Sequence, residues 1–183
     1  DNKIWNWEFT DESDPEHLKG IEVMTTRPEM LPACVAFMYH GEDSRAEILS
    51  KCQAITPLFT AFVPTYADDE VQKDKGTGVV MCCTFGDEQD VTWWKRHNLD
   101  TKIILNKFGK LDFSAIEKTD SNFYNDIESK KVDHQEEQYS ARKTIIKLLE
   151  EHNCTAKDKL AMKHMVKCDE RSGASLEIIT TQQ

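Results

Sequence analysis

The sequence contains no apolar run of about 18 residues, so it predicts no membrane-spanning helix. A basic segment followed by an apolar stretch and a small-residue cleavage site is also missing at the start. Without a secretory signal or an anchor, we expect a cytoplasmic protein with no membrane partner. The chain runs from Asp1, not Met, to Gln183, and we expect both to be boundaries within a larger parent protein.

Positive charge is scarce in this chain. Lys and Arg number 23 against 33 Asp and Glu, which gives a formal net charge of −10. Affinity for phosphate comes from Lys and Arg, so this balance argues against a protein that binds nucleic acid over a broad surface. Any contact with nucleic acid is expected to be local, with most of the affinity supplied elsewhere.

The six cysteines form no C-x-x-C pair, and the histidines show no metal-ligand spacing. Adjacent Cys82 and Cys83 would point to opposite faces of a strand, which suits neither a shared metal nor a mutual disulfide. We therefore expect reduced, mostly buried thiols and no metal site.

Hydrophobic residues make up 39% of the 183 residues, enough for one domain with its own core. Strand patterns cover 3–9, 21–25, 31–39, 79–84, 101–105 and 176–181, with short strands inside 55–66. Helical spacing covers 43–53, 87–97 and 133–151, and a hairpin turn is expected at 107–110. These elements alternate without a strict βαβ period, so we predict a mixed α/β fold with a curved or barrel-like sheet and peripheral helices.

The first candidate for a functional site is the run Thr25-Thr26-Arg27-Pro28-Glu29. Pro28 lacks a backbone donor and disfavours helix at Arg27, which breaks the strand here. A break lets consecutive side chains converge on one pocket. Composition alone favours the plainer interpretation, a strand that ends in a salt-bridged turn.

The second candidate is Gly76-Thr77-Gly78, which precedes an apolar strand. Glycines allow a backbone or a ligand to approach closely. The run is not a phosphate loop, because the Lys-Ser/Thr of that motif is missing and the spacing does not fit a dinucleotide motif. In isolation it indicates a turn.

The third candidate is the run from Gly86 to Asp90. Asp87 and Asp90 are three residues apart at the start of a predicted helix, so their side chains share a face. Paired carboxylates there would bind an ammonium group or position a water. An arrangement that caps the helix is an equally good interpretation.

Taken in order, these runs resemble the editing insertion of class I aminoacyl-tRNA synthetases for branched aliphatic amino acids. Residues 23–29 resemble its threonine-rich motif, while 76–80 and 86–90 together resemble its second motif. Within the family, the stretches 31–36 and 83–94 are similar to the archaeal-type branch of the valine-specific members.

The resemblance implies a single editing domain over 1–183, in which about 1–20 and 169–183 are strands connecting to an absent catalytic domain. It implies hydrolysis of the ester of mischarged threonyl-tRNA(Val), and of threonyl-adenylate, as a deacylase activity. The implied partners are the tRNA 3′ end and the catalytic and tRNA-binding domains of the parent. No cofactor is expected in this domain, since ATP and Mg²⁺ belong to the parent catalytic domain.

The resemblance also assigns roles to individual residues. Asp90 falls on the acid that holds the substrate ammonium, and Thr25, Thr26 and Asp87 are expected to orient the ester, the terminal adenosine and a water. Arg27 is expected to contact the terminal nucleotide or to brace Glu29. The residues expected to bind the substrate or the tRNA 3′ end are Arg27, Glu29, Gly76, Thr77, Gly78, Cys83 and Phe85.

Three positions depart from the better-known bacterial pattern of the family, namely Met30, Met81 and Cys83. Specificity contacts made at these positions are therefore not carried over. The alternatives are the editing domain of an isoleucine or leucine enzyme, a non-catalytic module that binds the tRNA end, and a free-standing hydrolase.

Overall fold

The computed structural model describes residues 3–10, 19–108, 110–112, 138–154, 167–173 and 176–178, and sequence predictions elsewhere lie outside this part. The strands are β1 (Lys3–Thr10), β2 (Lys19–Thr25), β3 (Cys34–Tyr39), β4 (Gln53–Ile55), β5 (Phe62–Ala67) and β6 (Val79–Cys83). The α-helices are α1 (Ala46–Leu49), α2 (Glu88–His97) and α3 (Gln138–Glu151), and Pro28–Ala33 forms a 3-10 helix.

The six strands form one sheet in the order β2-β1-β4-β5-β3-β6. Neighbours pair antiparallel except β3 and β5, which are parallel. The strands at the two ends of this order, β2 and β6, approach within 8 Å between Cα atoms without pairing. The sheet is therefore curled but not closed, which confirms the predicted mixed α/β fold with a curved sheet.

Apolar side chains pack on both faces of β3 and β6. Met81 and Cys83 of β6 face the larger cluster, whereas Cys82 faces a smaller one with Trp93 of α2. The predicted divergence of the two neighbouring cysteines is confirmed, and all six cysteines of the chain are free thiols, four of them buried. Burial on both faces explains why β3 has no polar alternation.

The predicted strand over 31–39 begins only at Cys34, because the residues before it form the 3-10 helix Pro28–Ala33. Two prolines, Pro28 and Pro32, fix φ near −65°, a value that suits a 3-10 helix better than an extended strand. The prediction was wrong for 31–33, although all six residues of this helix are buried as expected of an apolar run.

The helix predicted over 43–53 is reduced to the single turn of α1. Asp43 accepts the Arg45 N–H at 2.8 Å, and its carboxylate also binds the Arg45 guanidinium, so it shapes the turn before the helix. Leu49 is the only residue of α1 that is buried, while Ile48 stays 38% exposed. One buried side chain does not support a longer helix, because tertiary packing supplies most helical stability.

Residues 101–105 were predicted to form a strand, but they do not pair with another strand in a hydrogen-bonded ladder. An isolated bridge joins Leu105 to Leu111. The predicted hairpin turn at 107–110 is confirmed, because the Asn106 N–H donates to the Lys110 carbonyl at 2.9 Å. Residues 176–178 of the predicted last strand are likewise not in a strand. In both places the extended pattern lacks a neighbouring strand among the described residues.

Helix α2 begins as the sequence predicts. The Asp87 carboxylate accepts the Asp90 N–H at 2.8 Å and caps the first turn. At the other end, Asn98 adopts φ 49° in the left-handed region, and the last turn carries the basic residues Lys95, Arg96 and His97. Both ends of α2 are therefore defined by its own sequence.

A buried carboxylate fastens the end of α2 to the sheet. Asp68, which is 6% exposed just after β5, accepts from Arg96 at 2.6 and 2.8 Å, and its Oδ2 lies 3.0 Å from His97 Nε2. Burial alone would raise the pKa of Asp68, but the hydrogen bonds from His97 and Arg96 outweigh it and hold that pKa below its ordinary range. The ionised carboxylate therefore stabilises the position of α2.

We expect Asp68→Asn to lower the free energy of unfolding at neutral pH by about 1–3 kcal/mol, because the charge that holds Arg96 is lost. A depressed pKa stabilises the fold above pH of about 4 and this contribution disappears as the pH falls, so the difference should shrink in acid. Urea unfolding at neutral and acid pH measures both effects. The neighbouring exposed variant Asp69→Asn is the control, and an equal loss in both variants would contradict the assignment.

Candidate active site

The candidate site is centred on Asp90 in the first turn of α2, a carboxyl group that is only 8% exposed. Burial raises its pKa to about 8, the charge of Asp87 adds to the rise, and backbone N–H groups of Cys83 and Asp87 partly offset it. A carboxyl group held this way stays largely protonated at neutral pH, and a nearby cation would favour its ionised form. Such a perturbed acid is typical of a functional site.

Gly86 makes room for this carboxyl group. A Cβ atom added at Gly86 would lie 2.3 Å from Asp90 Oδ2 and 3.5 Å from the Cβ of Cys83. The turn from β6 into α2 is tight, since the Gly86 N–H donates to the Cys83 carbonyl at 3.3 Å and Phe85 has φ 57°. The glycine is therefore required by the close approach of the acid to the backbone.

Arg27 joins the threonine-rich motif to this turn. Its Nη1 donates to the Gly86 carbonyl at 2.6 Å, across 59 residues of sequence. The backbone N–H of Arg27 donates to Thr25 Oγ1 at 3.0 Å. This hydrogen bond holds Arg27 close to the end of β2. Two motifs that the sequence analysis singled out separately thus lie at one place in the fold.

Glu29 lies behind Arg27 and is fully buried. Arg142 of α3 binds both of its oxygens, at 2.9 and 2.7 Å, and Arg27 Nε lies 3.4 Å from Oε1. A buried carboxylate needs such partners, because an unpaired charge in the interior is very costly. This placement lets Glu29 brace Arg27 and puts its carboxylate out of reach of direct contact with a ligand.

The loop Gly76-Thr77-Gly78 meets the end of β2. Gly76 has φ 63° and lies against Met24, whose Cε would be 3.4 Å from an added Cβ. Gly78 has φ 74°, and a Cβ there would lie 2.9 Å from the Lys73 carbonyl, so neither glycine tolerates a side chain without strain. The Thr77 hydroxyl is buried and has no hydrogen-bond partner in the described structure.

Three further residues were predicted to belong to the site, Cys83, Phe85 and Thr26. Cys83 is 2% exposed on β6 opposite Cys34, and the hydrogen bond with the Cys34 thiol, together with burial, raises its pKa. Phe85 is half-buried and packs edge-on against Trp94, with 5.3 Å between ring centroids. Thr26 is half-buried beyond the end of β2. Cys83 is thus a neutral, buried thiol and Phe85 part of an aromatic pair.

Sequence reasoning missed two residues that belong to this constellation, Arg142 and Glu177. Arg142 lies in the helix predicted over 133–151, where it was assigned no role, yet its guanidinium pairs with the buried Glu29. Glu177 accepts from Arg27 Nη2 at 2.8 Å across 150 residues. The only available signal was that a buried acid demands a basic partner, and burial of Glu29 was not visible in the sequence.

A cavity lies outside the candidate site in the described structure. An open cavity of about 460 Å³ beside the 69–75 loop is lined by polar residues and includes none of the residues named above. The described residues contain no group of three or more His, Cys, Asp or Glu side chains arranged to hold a metal ion. No described helix is long and apolar enough to cross a membrane.

Comparison with known proteins defines the family. The sequence pattern of the family "Leucyl-tRNA synthetase, editing domain" matches residues 38–150, more than half of the chain. The chain therefore belongs to this family of editing domains.

Similar curated proteins are valine–tRNA ligases. The one from Rickettsia felis is 49% identical over 165 residues, which cover 90% of this chain and 18% of the ligase. Those from Rickettsia conorii and Ehrlichia canis are each 45% identical and cover 95% and 90% of this chain, and 19% and 20% of the respective ligases. The chain thus spans about a fifth of the length of the curated relatives it matches.

Similar folds occur in leucyl-tRNA synthetases. A synthetase from Agrobacterium radiobacter K84, solved with tRNA and LeuAMS, has a TM-score of 0.58 at 16% identity, covering 85% of this chain and 19% of that chain. The structure called GlLeuRS-CP1 has a TM-score of 0.55 at 12% identity, covering 88% of this chain and all of that one. At this level of identity the likeness establishes the fold.

The raised pKa of Asp90 predicts a pH dependence of stability. Between about pH 4 and 8 the folded chain keeps a proton on Asp90 that the unfolded chain has released, so the free energy of unfolding falls as the pH rises through this window. Asp90→Asn cannot ionise, and we expect it to be more stable than the wild type above pH of about 8 and similar to it in acid.

Urea unfolding measured across this pH range tests the expectation, with the exposed Asp100→Asn variant as control. The control should keep the wild-type pH dependence. Identical pH profiles for wild type and Asp90→Asn would show that Asp90 ionises in the folded chain as easily as in the unfolded one.

Proposed function

We propose that this chain is the editing domain of a valine–tRNA ligase and that it hydrolyses the ester bond of threonyl-tRNA(Val), with threonyl-adenylate as a second substrate. The observation that carries the proposal is the buried Asp90 carboxyl, pressed against Gly86 at the turn to which Arg27 joins the threonine-rich motif. The identities of 45–49% to valine–tRNA ligases support the choice of amino acid.

A valine enzyme needs this second site for a physical reason. Valine and threonine are nearly isosteric, and an apolar synthetic pocket rejects the added hydroxyl poorly; for the valine enzyme this is the standard example, at about a hundredfold. A polar editing pocket favours threonine over valine. Bound valine would leave the hydrogen-bonding groups of the pocket unpaired, at a cost of about 1–3 kcal/mol for each group.

Asp90 is the group that recognises the aminoacyl end. The α-ammonium of the substrate supplies the cation that a buried carboxyl lacks, and pairing with it favours the ionised form. At neutral pH a group whose pKa is about 8 holds its proton for most of the time, so binding of the ammonium releases that proton to solvent. The aminoacyl group is thereby fixed beside the start of α2.

The other residues orient the ester, the terminal adenosine and the water. Asp87 is exposed next to Asp90 and positions the water, while Thr25 and Thr26 at the end of β2 hold the ester and the terminal ribose. Arg27 fixes Gly86 and with it the turn. An ester is already activated, so placing a water correctly provides much of the rate without a dedicated general base.

Only the 3′ end of the tRNA needs to enter, which reconciles a chain of net charge −10 with a nucleic-acid substrate. The tRNA-binding and catalytic domains of the parent ligase supply the remaining affinity, and ATP and Mg²⁺ act there. We place the parent protein in the cytoplasm.

A leucine-specific editing domain is the second candidate, because the matching family pattern carries that description. The relatives of high identity, however, are valine enzymes.

The decisive assay compares hydrolysis of threonyl-tRNA(Val) and valyl-tRNA(Val) by wild type and Asp90→Asn. We expect a preference of about tenfold to a hundredfold for the threonyl ester, and a loss of about a hundredfold or more in the variant. Asp100→Asn should match the wild type. Full activity in Asp90→Asn would remove Asp90 from the site, and a preference for a mischarged leucine tRNA would favour the second candidate.

Gly86→Ala tests the close contact between backbone and acid. The added Cβ would lie 2.3 Å from Asp90 Oδ2, so the carboxyl group must swing away while the fold is kept. We expect a loss of deacylation approaching that of Asp90→Asn, with little change in the thermal midpoint. Gly41→Ala is the matched control, because its Cβ would meet Asp69 only at 3.8 Å. Equal activity of the two alanine variants would contradict the geometry.

A further inference from the structure

The guanidinium of Arg27 is held from three directions. Nη1 donates to the Gly86 carbonyl at 2.6 Å, Nη2 donates to Glu177 Oε2 at 2.8 Å, and Nε lies 3.4 Å from Glu29 Oε1. The contact to Glu29 is long, and Glu29 is already bound by Arg142 at 2.7 and 2.9 Å. Glu177 is therefore the strong ionic partner of Arg27.

Two ion pairs meet in this cluster. Two guanidinium groups, Arg27 and Arg142, face two carboxylates, Glu29 and Glu177. Arg27 and Glu177 are each 19% exposed, so water screens their interaction only in part. Without Glu177, the Arg27 guanidinium, which binds the carbonyl of Gly86 next to Asp87, would lose its carboxylate partner at 2.8 Å.

Glu177 belongs to a segment that folds back beside the turn from β6 into α2. The Leu176 N–H donates to the Lys167 carbonyl and the Gly173 N–H to the Asp169 carbonyl, both at 2.9 Å. The Lys167 ammonium contacts Glu88 at the first position of α2. The segment thus contacts the turn on both sides of Asp87, through Arg27 at Gly86 and through Glu88.

We infer that Glu177 is a positioning residue for the proposed deacylation, acting through Arg27 to hold the Gly86–Asp87 turn on which the placement of Asp90 depends. The inference rests on the proposed function of this site. It makes the fold-back segment around Glu177 part of the machinery of the site, although no residue of that segment touches the reacting atoms.

Loss of Glu177 frees Arg27 in a defined way. The guanidinium can leave the Gly86 carbonyl and turn toward Asp87 or Asp90, so the turn loses its anchor. Either movement displaces the group that orients the aminoacyl end, and a displacement of about 1 Å in such a group costs up to about a hundredfold in rate. The tRNA itself is held mainly outside this turn, so its affinity should change little.

The experiment measures kcat and KM for threonyl-tRNA(Val) in the intact protein carrying Glu177→Gln. We expect kcat to fall by about tenfold to a hundredfold while KM changes by less than about threefold. Glu177→Asp, which keeps the charge, should recover part of the loss. The exposed acid Glu170 in the same segment supplies the control, and Glu170→Gln should stay within about twofold of wild type.

A double-mutant cycle separates positioning from a general loss of structure. In an Arg27→Met background the guanidinium is gone, so adding Glu177→Gln should cause no further loss of kcat, whereas independent effects would multiply. Thermal midpoints of all variants are recorded alongside. A Glu177→Gln enzyme as active as wild type, a loss confined to KM, or multiplicative effects in the cycle would overturn the inference alone. An inactive wild type would overturn the proposed function, and this inference with it.

Discussion

The burial of one carboxyl group, Asp90, is the constraint around which the rest of the site is arranged. Removing this acid from water is unfavourable for its ionised form, and the pKa of about 8 expresses that cost. Residue 86 in the turn before it must be a glycine to leave room for the carboxyl group, and Arg27 holds that turn through the Gly86 carbonyl. The strained turn and the arginine that holds it follow from this requirement.

Helix α2 carries that acid and is secured at both ends by other acids. At its start Asp87 caps the first turn, and at its end the buried Asp68 binds Arg96 and His97. The helix therefore has little freedom to move the acid relative to β6. Asp87 and the buried Asp68 have hydrogen-bond partners and support the helix, whereas the buried Asp90 has no cationic partner among the described residues and has a raised pKa, as functional acids often do.

The sequence predicted those parts of the fold in which local chemistry and tertiary packing agree. β1, β2, β6 and α2 appear where periodicity and caps placed them, because each has a pattern that suits only one conformation. β5 overlaps the stretch 55–66, in which only short strands of unspecified bounds were predicted. The errors fall where the local pattern was ambiguous. Residues 31–33 looked extended because of their apolar run, but Pro28 and Pro32 favour a 3-10 helix. Helix α1 is short because its apolar face finds little to pack against.

The sequence by itself determined the residue types of the site and their order: a threonine-rich strand end, a glycine loop and a pair of acids at a helix start. Tertiary structure alone decided which of them meet. The contacts of Arg27 with Gly86 and Glu177 cross 59 and 150 residues, and Glu29 with Arg142 crosses 113. The periodicity of a sequence does not predict contacts between residues so far apart in the chain. Pairing of charges across the fold depends on how the sheet curls and on which carboxylates it removes from water.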